Sequence, residues 1–137
     1  MNKFVDFNGI GYVAATFPVS AAAQTYLKAN HLNAKTGNVD VNGKNLAVVL
    51  GTDGTVGFGT GVEPLLGIMI VYEMDGFATV QLKGGIDNVP TAAVLTSGVK
   101  GLSANASGAI VAAAEGGKEA IVAKPSAADS LYASIVL

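Results

Sequence analysis

The stretch IMIVYEMDGFATVQL, Ile68 to Leu82, decides the fold class. Its arms, Ile68 to Tyr72 and Phe77 to Leu82, are rich in β-branched and aromatic residues. Between them lies Asp75-Gly76, a dipeptide that accepts the left-handed backbone of a tight turn. The segment therefore reads as a hairpin. In its second arm Ala78, Val80 and Leu82 share one face, read as core, and Phe77, Thr79 and Gln81 share the other, read as surface.

Working outward, the same style recurs. Leu46 to Leu50 (LAVVL) is an apolar run of strand length, closed by Gly51 and the turn Asp53-Gly54. Ala109 to Ala113, Ala120 to Lys124 and Leu131 to Leu137 are further strands, separated by Glu115-Gly116-Gly117 and by Pro125 to Asp129. Two strands echo each other, ATVQL at Ala78 to Leu82 and ASIVL at Ala133 to Leu137. The echo fits two related halves joined near Gly84 to Pro90, and it equally fits the period-two pattern that any two hairpins share.

The first 45 residues differ. Val19, Ala22, Ala23, Tyr26 and Leu27 recur at helical spacing behind Ser20, a suitable N-cap, which predicts a short amphipathic helix. Thr36 to Lys44, with Asn38, Asn42 and two glycines, reads as loop and turn. Ahead of the helix Phe4, Phe7 and Tyr12 sit among glycines without a regular period. They form either an arm that packs on a partner or a plain edge strand. The expectation is one domain over 137 residues: arm, helix and loop to residue 45, then a β core from 46 to 137.

Composition bounds the function. Half of the residues are hydrophobic, and 13% are charged where about 25% is usual. A small domain cannot hide so much apolar material in its own core, so a membrane or a protein partner is expected to cover some of it. The 21 uncharged residues between Asp6 and Lys28 are long enough for a span, and Ala21 to Ala23 suit a signal-peptidase site. However, Asn8, Pro18, Ser20 and Gln24 interrupt that run, and Asp6 stands where a signal peptide wants positive charge. A protein partner is the better reading. All eight cations are lysines, scattered along the chain, so no basic stripe for nucleic acid forms.

Catalytic chemistry finds little to work with. Cysteine is absent and His31 is the single histidine, so neither a zinc site of usual composition nor a base with nucleophile and orienter is evident. Gly51 to Gly61 (GTDGTVGFGTG) lacks the Gly-Lys-Ser or Gly-Lys-Thr ending of a phosphate cradle, and Pro64 follows where a helix should open. Turns between strands account for it better. Glu73 and Asp75 at the hairpin tip lack the regular spacing of oxygen ligands that calcium needs. Asn105-Ala106-Ser107 matches a glycosylation pattern that matters only on a secretory route. The chain is not expected to be an enzyme, and no metal or cofactor is expected.

The succession GTVGFGTGVEPLLGIMIVYEMDGFATVQLKGG, Gly54 to Gly85, resembles the middle of the decoration, or structural cement, proteins of tailed-bacteriophage heads. Val89-Pro90-Thr91, Val99 to Leu102 and Gly108 to Ala113 are similar to that family's run from a P-T turn through a hairpin to a final short strand. The resemblance covers Leu46 to Leu137, and the segment from Ser20 to Asn45 has no counterpart in it. It implies an all-β fold, a small β-barrel or β-tulip-like domain with a short N-terminal helix, for which a β-sandwich is the alternative. It also implies a non-enzymatic virion protein, made in the host cytoplasm, that binds the major capsid protein on the outer surface of the capsid as trimers at local three-fold axes. On that view Phe4, Phe7 and Tyr12 are candidate capsid or subunit contacts. A secreted or surface-displayed β-module that binds carbohydrate or a host protein is the other reading, although Trp is absent and aromatics are few for a sugar platform.

Overall fold

A computed structural model describes residues 12–73, 75–113 and 115–137. Among the described residues the fold is all-β with one short helix, built from two antiparallel sheets of which one is strongly curled into a half-barrel. The N-terminal sheet holds β1 (Val13–Pro18), β2 (Leu46–Leu50), β3 (Val56–Gly57), β4 (Leu65–Tyr72) and β5 (Phe77–Lys83) in the order β1-β5-β4-β2-β3. The C-terminal sheet holds β6 (Gly85–Pro90), β7 (Gly98–Ala104), β8 (Ile110–Ala112), β9 (Lys118–Lys124) and β10 (Tyr132–Val136) in the order β6-β10-β9-β7-β8.

Counted within its own sheet, each half runs first-fifth-fourth-second-third. The repetition extends to single residues. After β1 ends at Pro18, Val19 bridges Val56 in parallel, and after β6 ends at Pro90, Thr91 bridges Ile110 in the same way. The turn before β3 is closed by Gly51 N–H to Thr55 O at 2.8 Å, and the turn before β8 by Asn105 N–H to Ala109 O at 2.9 Å. Gly54 and Gly108 hold the left-handed position of these two turns, at φ 83° and 81°. Between β4 and β5 the register slips at Ile70, with Met69 opposite Val80 and Val71 opposite Thr79. Between β9 and β10 it slips at Ala123, with Val122 opposite Ile135 and Lys124 opposite Ser134. Two unrelated hairpins have no reason to share a bulge at one place. The strands that echo in sequence, β5 and β10, are the fifth strand of each half.

The hairpin around Asp75-Gly76 is β4 and β5, with Gly76 at φ 87° and the Asp75 carboxylate accepting the Phe77 N–H at 3.2 Å. Ala78 and Val80 are fully buried, as their face predicts, and Leu82 is half-buried. The opposite face departs from the expectation of a surface: Gln81 is buried, and its amide donates to the carbonyls of Lys83 at 3.1 Å and Gly85 at 3.4 Å. The reason is tertiary. The N-terminal sheet is covered on both faces, which is also why Leu46, Ala47, Val48 and Val49 are all buried in succession.

One face of that sheet meets the helix α1 (Ala21–Asn30). Ser20 caps it by accepting the Ala23 N–H at 3.2 Å. Val19, Ala23 and Leu27 pack with Val48, Val56, Met69 and Val80 in one core cluster. Ala22, read as part of the apolar face, is exposed, and Tyr26 lies half-buried, edge-on to Phe58 at 4.9 Å between ring centres. The other face presents Ala47, Val49, Leu65 and Ile68 to Leu102, Ala104, Ala120, Val122, Ala133 and Ile135 of the C-terminal sheet. The layers are thus helix, sheet, sheet.

Four strands escaped the periodicity reading. β3 is two residues long inside the glycine-rich turn; β6 lies in the stretch that reads as a junction between halves, β7 has glycine at its first and fourth positions, and β1 lies in the irregular leader. Glycine and short length erase the pattern on which such a reading depends.

Candidate functional site

Among the described residues the layer order leaves one sheet face without cover. In the N-terminal sheet Ala47, Ile68 and Gln81 face one another across β2, β4 and β5, and all three are buried beneath the C-terminal sheet. The equivalent row of the C-terminal sheet is Val99, Ile121 and Val136, across β7, β9 and β10. Here Val99 is 61% and Ile121 48% exposed, while Val136 and Leu137 are half-buried. These side chains, with Ala120 and Glu119, line a shallow apolar depression. Within the chain the two sheets stack head to tail: the Ile68 face of the first covers the Val122 face of the second, and the face of the second that corresponds to Ile68 is open.

Each end of this face carries charge. Glu119 stands exposed at one end of β9. At the other end the half-buried Lys124 pairs with Ser134, which lies between the core residues Ala133 and Ile135, is itself buried, and donates its hydroxyl to Asp87 at 2.6 Å.

Of the candidate contact residues, Phe4 and Phe7 lie outside the described residues. Tyr12 is 59% exposed, immediately ahead of β1. β1, which begins at the next residue, is an edge strand that pairs on one side with β5. Tyr12 is far along the chain from the Val99 row, and periodicity gave no signal for that row because an open strand face and a covered one look alike in sequence.

The remaining candidates behave as structural residues. His31 caps the C-terminus of α1, its N–H donating to Leu27 O at 2.8 Å. Burial and, second, the Lys44 ammonium hold its imidazole below the usual range. Its ring lies 6.0 Å from that of Tyr26. In Gly51 to Gly61 the Asp53 carboxylate accepts both the N–H and the hydroxyl of Thr55, at 3.1 and 2.7 Å, so the loop is a hydrogen-bonded turn leading into β3. The Asn105 side-chain oxygen accepts from Ser107 N–H, Ser107 hydroxyl and Ala109 N–H, which gives the Asn-Ala-Ser sequence a local structural role. Among the described residues no group of three or more His, Cys, Asp or Glu is placed to hold a metal ion, and no helix is long and apolar enough to cross a membrane.

A second concavity, of about 320 Å³, opens beside the helix between Gln24, Lys28, Leu32, Asn38, Tyr72 and Asp75. It combines one aromatic wall with amide, ammonium and carboxylate groups. Comparison of the chain with protein-family models, with curated proteins and with solved structures finds no match.

Proposed function

We propose that the chain is a structural protein of a tailed-phage head that binds the major capsid protein on the outer surface of the assembled capsid, as trimers at local three-fold axes, and stabilises the shell. The observation that carries this reading is the apolar exterior. Among the described residues Tyr12, Val13, Leu32, Leu50, Val62, Phe77, Val94, Val99, Ile121 and Tyr132 all stand exposed on a body that carries few charges. Surface of this kind suits contacts depleted of charge at their centre. Repetition over a symmetric lattice lets each contact be modest while the array holds firmly. The resemblance of Leu46 to Leu137 to head decoration proteins supports the same reading. On this view the protein has no catalytic role and binds neither nucleic acid nor membrane.

The test is co-sedimentation with the undecorated heads of the phage that encodes the chain, followed by thermal melting of the heads. Saturable binding and a higher head melting temperature are expected. A chain that stays in the supernatant beside such heads overturns the proposal. The groove beside Tyr72 favours the other reading, a β-module that binds carbohydrate or a host protein; retention on a glycan array that is lost in Tyr72→Ala supports that reading instead.

A further inference from the structure

We propose that the open face of the C-terminal sheet is a two-fold contact between two copies of this chain, formed face to face through the Val99, Ile121 and Val136 row. Two observations carry it. First, the fold covers the structurally equivalent row, Ala47, Ile68 and Gln81, with an apolar sheet face, so the chain itself shows what kind of surface this row accepts. Secondly, the charges are self-complementary. Glu119 and Lys124 flank Ile121 at opposite ends of β9. A two-fold axis running across the strands at Ile121 lays β9 antiparallel on the β9 of the second copy and brings each Glu119 toward the Lys124 of the other. An axis along the strands would instead set Glu119 against Glu119, so the charges select one of the two arrangements. Asp87 accepts the Ser134 hydroxyl and keeps its charge, but it lies on β6, two strands away from β9.

The contact does not depend on capsid binding. The row offers three apolar side chains, so the dimer is expected to be weak and to show itself only at high protein concentration. In a bound array it would link neighbouring subunits.

Sedimentation equilibrium of the isolated chain, up to about 1 mM, reads the affinity directly. The substitutions Glu119→Lys, at an exposed position, and Lys124→Glu, at a half-buried one, are each expected to weaken self-association at least about tenfold, by placing like charges together. Mixing the two variants restores the dimer, because every cross-contact again joins a lysine to a glutamate. A purely structural role for either residue would not produce that rescue. Circular dichroism confirms that each variant is folded; if one is not, Ile121→Lys with the same readout replaces it and is expected to leave a monomer. A wild-type chain that remains monomeric at about 1 mM, or a mixture no more associated than its components, overturns the proposal. Loss of head binding in Ile121→Lys while the wild-type chain is monomeric assigns the face to the capsid and also overturns it.

Discussion

Val56 and Ile110 occupy one position of the fold twice. The carbonyl of each accepts, at 2.9 Å, the N–H of the residue two places after the proline that ends the first strand of its sheet, Ser20 after Pro18 and Ala92 after Pro90. Yet Val56 is buried against the helix and Ile110 between the sheets. The same local geometry therefore serves two different cores, because the halves are stacked in one sense and do not face each other across a two-fold axis.

Val80 is fully buried in the core between the N-terminal sheet and α1. An unpaired carboxylate there costs about 4 kcal/mol or more, a large part of a small domain's whole stability. Val80→Asp is therefore expected to be unfolded at room temperature by circular dichroism, and a variant that melts like the wild type shows the core face to be misassigned.

Gly54 and Gly108 share a left-handed conformation but not a neighbourhood. A methyl group at 54 meets nothing within 4 Å, whereas one at 108 comes to 3.0 Å from the Phe58 ring and 3.1 Å from the Leu46 Cβ. Gly54→Ala should cost about 1 kcal/mol, from backbone strain alone. Gly108→Ala should cost clearly more in a urea titration, since the packed Leu46 beside it has little room to yield.

Ser20→Ala removes the acceptor of the Ala23 N–H and with it the helix cap. A loss of about 1 kcal/mol is expected. Ser20→Asp restores the acceptor and is expected to recover most of the lost melting temperature.

His31 is held below its ordinary pKa, first by burial and then by Lys44. The unfolded chain therefore binds the proton more readily than the folded one, and stability falls as pH drops below about 6.5, the unfolded value. The effect is small because the ring is only half-buried and solvent screens much of it. Urea melts between pH 7 and pH 5 should show a shallower loss in His31→Gln than in the wild type, and equal slopes would mean that the imidazole does not sense its surroundings.

The strands legible in the sequence are those whose order is local. LAVVL, the Asp75-Gly76 hairpin and the three C-terminal runs carry β-branched residues bounded by turns. Ser20 with Ala23 and Leu27 marks a helix by spacing alone. β1, β3 and β6 leave no periodicity to detect, since glycine, proline or brevity interrupts it, and β7 is indicated only by the resemblance of Val99 to Leu102. The ATVQL and ASIVL echo pointed to two halves, but five residues cannot distinguish a repeat from a shared period. The matched bulges at Ile70 and Ala123 and the paired turns at Gly54 and Gly108 can.

Sequence alone thus determined an all-β chain with a capped helix and an apolar excess, because hydrogen-bonding turns, caps and side-chain alternation are settled by near neighbours. Only the tertiary structure decided which faces are hidden. Gln81 and Val136 occupy equivalent rows, and the more polar of the two is the one fully covered. Burial of a sheet face depends on what arrives from elsewhere in the chain, here a second sheet over Gln81 and open surface over Val136. No local pattern of residues encodes that arrival.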